Sequence, residues 1–188
     1  MKKPELVIMC GSSRCGKSSW IEANLKDTHI VCSFDRFKKA LTNAWWTQSI
    51  HTDFKQNSWN MTYSFFEEIT NQQLDVVLDS NNSFANRRAL WIDSARRKGY
   101  SIRGVEIFTP LEKCIERSKE EFPIDFPDNH PYILKQIKGI SNSYSRKQHL
   151  KMEEGFDKVE IIDGLTGLPY DFRKSEEKKN FKYNKETR

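Results

Sequence analysis

The apolar positions of this chain gather into five short runs: Glu5–Cys10, His29–Ser33, Asp75–Asp79, Ser101–Phe108 and Lys158–Ile162. They are rich in Val and Ile and too short for helices, so each predicts a strand. In the longer segments between them, apolar residues recur at helical spacing. Arg14–Lys26 predicts a helix that begins near Gly16 or Lys17, and Arg36–Thr42 predicts another. Met61, Phe65 and Ile69 recur every four residues and mark a helical face. Asn86–Lys98 predicts a helix with Leu90, Trp91 and Ala95 turned inward, and Gly99 stands just past its end, where a left-handed residue costs little. Leu111–Glu121 predicts a further helix, with Pro110 in its first turn and Thr109 as its cap. Strands alternating with helices predict an α/β fold: a mostly parallel sheet of about five strands, with helices on both faces. Ligands of such sheets bind at the carboxyl ends of the strands, so chemistry is expected just after each run.

Composition narrows the setting. At 188 residues the chain suits one domain, read as 1–170, followed by a charged tail at 171–188. No stretch approaches the roughly 20 apolar residues that span a bilayer, and the run Leu6–Cys10 is too short for a signal peptide. An intracellular, cytoplasmic protein without a membrane partner is the expectation. Cys10, Cys15, Cys32 and Cys114 form no CxxC pair, which predicts reduced, mostly buried thiols. The formal charge of +5 suits a polyanionic partner without demanding one. Much of the excess lies in the tail, which reads equally as a solvated end or a phosphate-binding arm.

The first run leads into Gly11-Ser12-Ser13-Arg14-Cys15-Gly16-Lys17-Ser18, a full GxxxxGK[ST] match that continues into Ser19. Gly11 and Gly16 permit backbone angles that turn successive N–H groups toward one anion. Lys17 supplies a charge for the β- and γ-phosphates, and Ser18 offers a hydroxyl to Mg²⁺. The helix starting here adds its positive end. With a strand before and a helix after, the motif predicts ATP and Mg²⁺ as cofactors and a sheet of the P-loop NTPase type. The whole loop, Gly11 to Ser19, is expected to bind the nucleotide; within it Arg14 reads as solvent-facing or as reaching phosphate, the former slightly favoured, and Cys15 as a small residue.

The other strand ends carry further candidates. Asp35, one strand over from the loop, is placed to take the proton of an attacking hydroxyl, or else to cap the helix that follows. Asp79, after Val76-Val77-Leu78, reads as the aspartate that supports Mg²⁺ through water, or as a turn residue. Arg117 falls late in the chain, where a helical lid would drop an arginine onto the transferring phosphate; the alternative is a surface pair with Glu121.

The order of these pieces resembles the kinase domain of the phage-type 5′-hydroxyl polynucleotide kinases, within the wider P-loop kinase group. The likeness runs to about Asp171. It is carried by Leu6–Trp20, by Ser33-Phe34-Asp35, by Asp79-Ser80-Asn81-Asn82 with Arg87-Arg88-Ala89-Leu90-Trp91, and by Ile162-Asp163-Gly164-Leu165-Thr166-Gly167-Leu168-Pro169. It implies that Lys17 and Ser18 handle phosphates and metal, that Asp35 is the general base, that Asp79 supports the acceptor pocket, and that Arg117 is a lid arginine. It also implies a turn near the adenine at 162–169, the 5′-hydroxyl ends of DNA or RNA as partners, a role in nucleic-acid repair, and the host cytoplasm for a phage-encoded chain. Two positions depart from the pattern. Lys38, with Arg36 nearby, stands where the family has an arginine that grips the acceptor's phosphate, and lysine lacks the bidentate fork. Lys119-Glu120-Glu121-Phe122 replaces a second lid arginine.

Between the second and third runs lie Trp45, Trp46, Phe54, Trp59, Tyr63, Phe65 and Phe66, which either build a helical core or stack on bases at the acceptor entrance. His51 there reads as an ordinary polar residue. A kinase for a small-molecule hydroxyl (nucleoside, sugar or antibiotic) shares every feature of the ATP site, and an NTP-driven switch shares the loop alone.

Overall fold

The computed structural model describes residues 2–42, 52–120, 127 and 130–170, with the side chains of 41–42 and 52–55 left out. Trp45, Trp46, His51, the Phe54 side chain, Glu121, Phe122 and the tail 171–188 lie outside the described residues. Five strands, β1 (Glu5–Cys10), β2 (Ile30–Cys32), β3 (Val76–Leu78), β4 (Ser101–Phe108) and β5 (Lys158–Asp163), form one parallel sheet in the order β2-β3-β1-β4-β5. The helices are α1 (Lys17–Asn24), α2 (Phe34–Thr42), α3 (Thr52–Asn71), α4 (Ala85–Arg97), α5 (Leu111–Lys119) and α6 (Pro131–Arg146).

β1 is apolar without alternation because both of its faces are covered. Leu6, Ile8 and Cys10 pack with Phe66 and Ile69 of α3 and with Trp91, Ile92 and Ala95 of α4. Val7 and Met9 pack with Ile21 of α1, Cys114 of α5 and Ile140 of α6. Full burial of such side chains stabilises the fold by about 1.5–3 kcal/mol each. Trp91 and Ala95 thus face inward as expected.

Three expectations about helices are corrected. Met61 and Phe65 are 40% and 36% exposed, while Ser58, Thr62, Phe66 and Thr70 form the buried line of α3. Leu90 is exposed, and Arg88, two residues before it, is buried instead. Helix α6 has no counterpart in the elements read from the sequence. His130 Nδ1 accepts from the Tyr132 amide and Pro131 occupies the first turn, so its start is well capped.

Buried charge braces the loops at the carboxyl edge of the sheet. Arg88 makes a fork to Glu154 at 2.6 and 2.7 Å and donates to the Asn82 carbonyl at 2.8 Å, which holds the turn after β3. Asn82 itself, at φ 42°, donates to Met9 O on β1. Glu106 on β4 is buried among Lys147 Nζ at 2.8 Å, His149 Nδ1 at 2.7 Å and the Leu150 amide at 3.2 Å. Burial pushes its pKa up, but the hydrogen bond with His149 and the Lys147 ammonium outweigh burial and hold it at about 2.

A carboxyl depressed from 4.5 to about 2 contributes stability that is present above 4.5 and lost as pH falls toward 2. Glu106→Gln is expected to destabilise the protein by roughly 3–5 kcal/mol at neutral pH, because a buried lysine loses its countercharge. Its stability is also expected to change less than wild type across that acid window. Denaturant titrations at both ends of the window check this, and equal stabilities at pH 7 would remove the buried pair from the account.

Candidate nucleotide-binding site

The chain after β1 turns on two glycines. Gly11 has φ 145° and Gly16 φ 106°, and a Cβ at Gly11 would stand 2.6 Å from Cys15 Sγ and 2.8 Å from Ile107 O. Arg14 between them is also left-handed, at φ 67°. Gly16 caps α1 with no side-chain bond, so the positive end of the helix opens onto the loop. Lys17 curls back over the loop: its Nζ donates to Gly11 O at 3.0 Å and Ser12 O at 2.8 Å, and it is only 8% exposed.

Ser18 Oγ donates to Asp79 Oδ2 at 2.8 Å, which joins the start of α1 to the end of β3. A hydroxyl and a carboxylate this close, both lining a cleft, form the hard-oxygen set that suits Mg²⁺. The same turn also carries Asn81, whose carbonyl accepts from the Gly11 amide and whose side chain donates to Ser143 of α6 at 2.6 Å.

Asp35 lies in the first turn of α2. Ser33, not Asp35, meets the free amide of that helix start, accepting from Arg36 N at 3.4 Å. The sheet order also corrects its placement: β3 lies between β2 and β1, so Asp35 is two strands from the loop. Asp35 is surface-exposed where it lines the open cleft, whose walls withdraw part of its water. Burial among these walls raises its pKa; Lys17 opposes this, Asp79 adds to it, and Lys38 and Arg14 oppose it.

One cleft of about 1580 Å³ brings these groups together, lined by Arg14, Lys17, Ser18, Asp35, Asp79 and Arg117 among others. Ser13, Gly16 and Ser19 also line it, as do Arg36, Lys38 and Lys39 beside Asp35. Gly11, Ser12 and Cys15 of the same loop are buried. Arg14, expected to face solvent, is half-buried on the cleft wall. Arg117 reaches from α5 to Arg14 O at 3.3 Å and Gly164 O at 3.2 Å, tying the loop to the turn after β5.

That turn, 163–167, lines the cleft with Trp20, Ala23 and Asn24 of α1. It is closed by Gly167 N to Asp163 O and by Leu165 N to Asp163 Oδ1. Sequence reading missed Thr109 as a site residue. It does not cap α5; its hydroxyl donates to Cys15 O at 2.7 Å. The available signal was position, since Thr109 directly follows β4 and Gly164 directly follows β5.

The model of a family described as the AAA domain matches residues 6–121. No curated protein matches the chain in sequence. In solved structures the fold recurs in a Chloroflexus aurantiacus protein described as a kinase, at 16% identity and TM-score 0.61, covering 86% of this chain and 89% of that one. It recurs in the Mycobacterium tuberculosis APS kinase bound to AMPPNP and APS, at 19% identity and TM-score 0.51, covering 86% and 90%. It recurs again in the Pnkp1/Rnl/Hen1 RNA repair complex, at 15% identity and TM-score 0.56, covering 78% of this chain and 48% of that one. The fold is that of the P-loop kinases. Among the described residues, no helix is long and apolar enough to cross a membrane.

Proposed function

The chain belongs to the AAA domain family, and from that premise we propose that it is an ATP- and Mg²⁺-dependent kinase for the 5′-hydroxyl ends of DNA or RNA, acting in nucleic-acid repair. The observation that carries this reading is the single cleft in which Asp35, with Arg36, Lys38 and Lys39 beside it, faces the same space as Lys17 of the loop. At about 1580 Å³ the cleft exceeds the roughly 300–1,000 Å³ of a small-ligand pocket, which leaves room for a nucleotide and a polymer end.

In this reading the loop amides and Lys17 hold the ATP phosphates, and Arg117 leaves its carbonyl partners for the transferring phosphoryl group. Ser18 and Asp79 would hold Mg²⁺, which when bound neutralises charge on the phosphate oxygens. Arg36 and Lys38 receive the acceptor's own phosphates. Asp35 accepts the proton as the 5′-oxygen bonds to the γ-phosphorus and the bond to the β-bridging oxygen breaks, releasing ADP.

A hydroxyl on a small molecule is the second reading, favoured by the fold shared with APS kinase. Incubation with γ-labelled ATP, Mg²⁺ and 5′-hydroxyl DNA and RNA oligonucleotides separates the two. Label at the 5′ end is the expected result. ATP binding without any transfer to either polymer would sink the polynucleotide reading and move the search to small acceptors.

A further inference from the structure

We propose that Thr109, seated against Gly164, is a positioning residue that aims the Gly16 amide into the anion-binding hollow of the loop and so sets affinity for the polyphosphate of a nucleotide. This depends on the nucleotide-binding half of the reading above and not on the acceptor.

Thr109 is 1% exposed, and its Oγ1 donates to the Cys15 carbonyl at 2.7 Å. The Cys15–Gly16 peptide is planar and trans, so its carbonyl and the Gly16 N–H point in opposite directions. Pinning the carbonyl downward onto β4's end therefore holds the N–H on the other side, where Gly16 lines the cleft. A loop whose carbonyls are occupied behind it presents amides in front; one carbonyl swinging forward would set an oxygen against a phosphate.

Gly164 completes the arrangement by what it lacks. A Cβ there would overlap Thr109 Oγ1 and Cys15 O and stand 2.8 Å from Ile107 Cγ2. Its own amide is fixed to Phe108 O at 2.7 Å, so the turn cannot drift away to make room. The ends of β4 and β5 thereby meet on one peptide of the loop.

The test is titration of Thr109→Val, Thr109→Ala and Thr109→Ser with ATP, ADP and adenosine, alongside melting of each unliganded protein. Val and Ala are expected to weaken ATP and ADP by roughly tenfold while leaving adenosine unchanged, and Ser to stay within about twofold of wild type. Wild-type affinity for ATP in Val or Ala, or an equal loss for adenosine, overturns the assignment. Should both variants fail to fold, wild type carries the test alone: the Gly16 amide signal is expected to move on adding inorganic pyrophosphate, and an unmoved signal overturns the proposal. Tight ATP binding with no transfer to 5′ ends would sink the acceptor reading and leave this one standing.

Discussion

Lys17→Ala is expected to lose phosphoryl transfer by on the order of 10³-fold, with ATP binding weakened in the same variant. The lysine is already poised: its ammonium sits inside the loop on two carbonyls, Gly11 O at 3.0 Å and Ser12 O at 2.8 Å, and is 8% exposed. An incoming polyphosphate needs only a short swing of a charge whose desolvation has already occurred during folding, and such preorganisation is where enzymes gain most. Alanine removes the charge and its hydrogen bonds to Gly11 O and Ser12 O, of which Ser12 O keeps the Cys15 amide as a donor.

A second consequence separates this from general damage. Lys17 is the strongest influence holding the Asp35 pKa down against burial. The residual activity of Lys17→Ala is therefore expected to rise at higher pH than that of wild type. Label transfer across a pH series measures both effects. Wild-type turnover in Lys17→Ala would remove the phosphate-loop reading altogether.

The strands were legible because burial on both faces leaves no ambiguity: β1 and β4 begin and end where the apolar runs do. β2 and β3 are each one residue shorter at both ends than their runs, although Asp75 O still accepts from the Ile30 amide and Cys32 O from the Asp79 amide. Helix faces misled for a different reason. Thr62 and Thr70 donate to Ser58 O and Phe66 O of their own helix, so they bury like apolar residues and displace Met61 and Phe65 from the core side. Arg88 inverts the pattern of α4 in the same way, since a guanidinium whose donors are met by Glu154, Asn82 and Gln148 can be buried while Leu90 is left outside.

Helix α6 had its signals, Pro131 at the start and Ile133, Ile137 and Ile140 at helical spacing, but Gly139 and dense polar residues masked them. The loop, Asp35 and Asp79 were legible as candidates because each stands in a motif or at a strand end, and Arg117 because of its place on a late helix; all of them line the same cleft. Thr109 and Gly164 directly follow β4 and β5, but position alone does not show what they meet, which is Cys15, 94 residues from Thr109 along the chain.

Asp35→Asn is expected to bind ATP like wild type and to lose transfer by roughly 10²–10⁴-fold, the usual contribution of a positioned base. The substitution is clean because the helix start does not depend on the carboxylate: Ser33 meets the Arg36 amide. An aspartate acts as base only when ionised, and its pKa here is raised first by burial and then by Asp79, with Lys17, Lys38 and Arg14 opposing. The wild-type rate is therefore expected to rise with pH through a step above the ordinary aspartate range, and Asp35→Asn to lack that step.

Stability carries the opposite sign. A carboxyl whose folded pKa lies above its unfolded value makes the fold less stable once pH exceeds both, and has no effect below both. Asp35→Asn is thus expected to melt slightly higher than wild type at neutral pH and equally at strongly acid pH. A gain in stability together with lost transfer is the signature of a group held against its own ionisation for chemistry. Unchanged transfer would sink the base assignment, and a variant that melts lower at neutral pH would mean that Asp35 serves the fold instead.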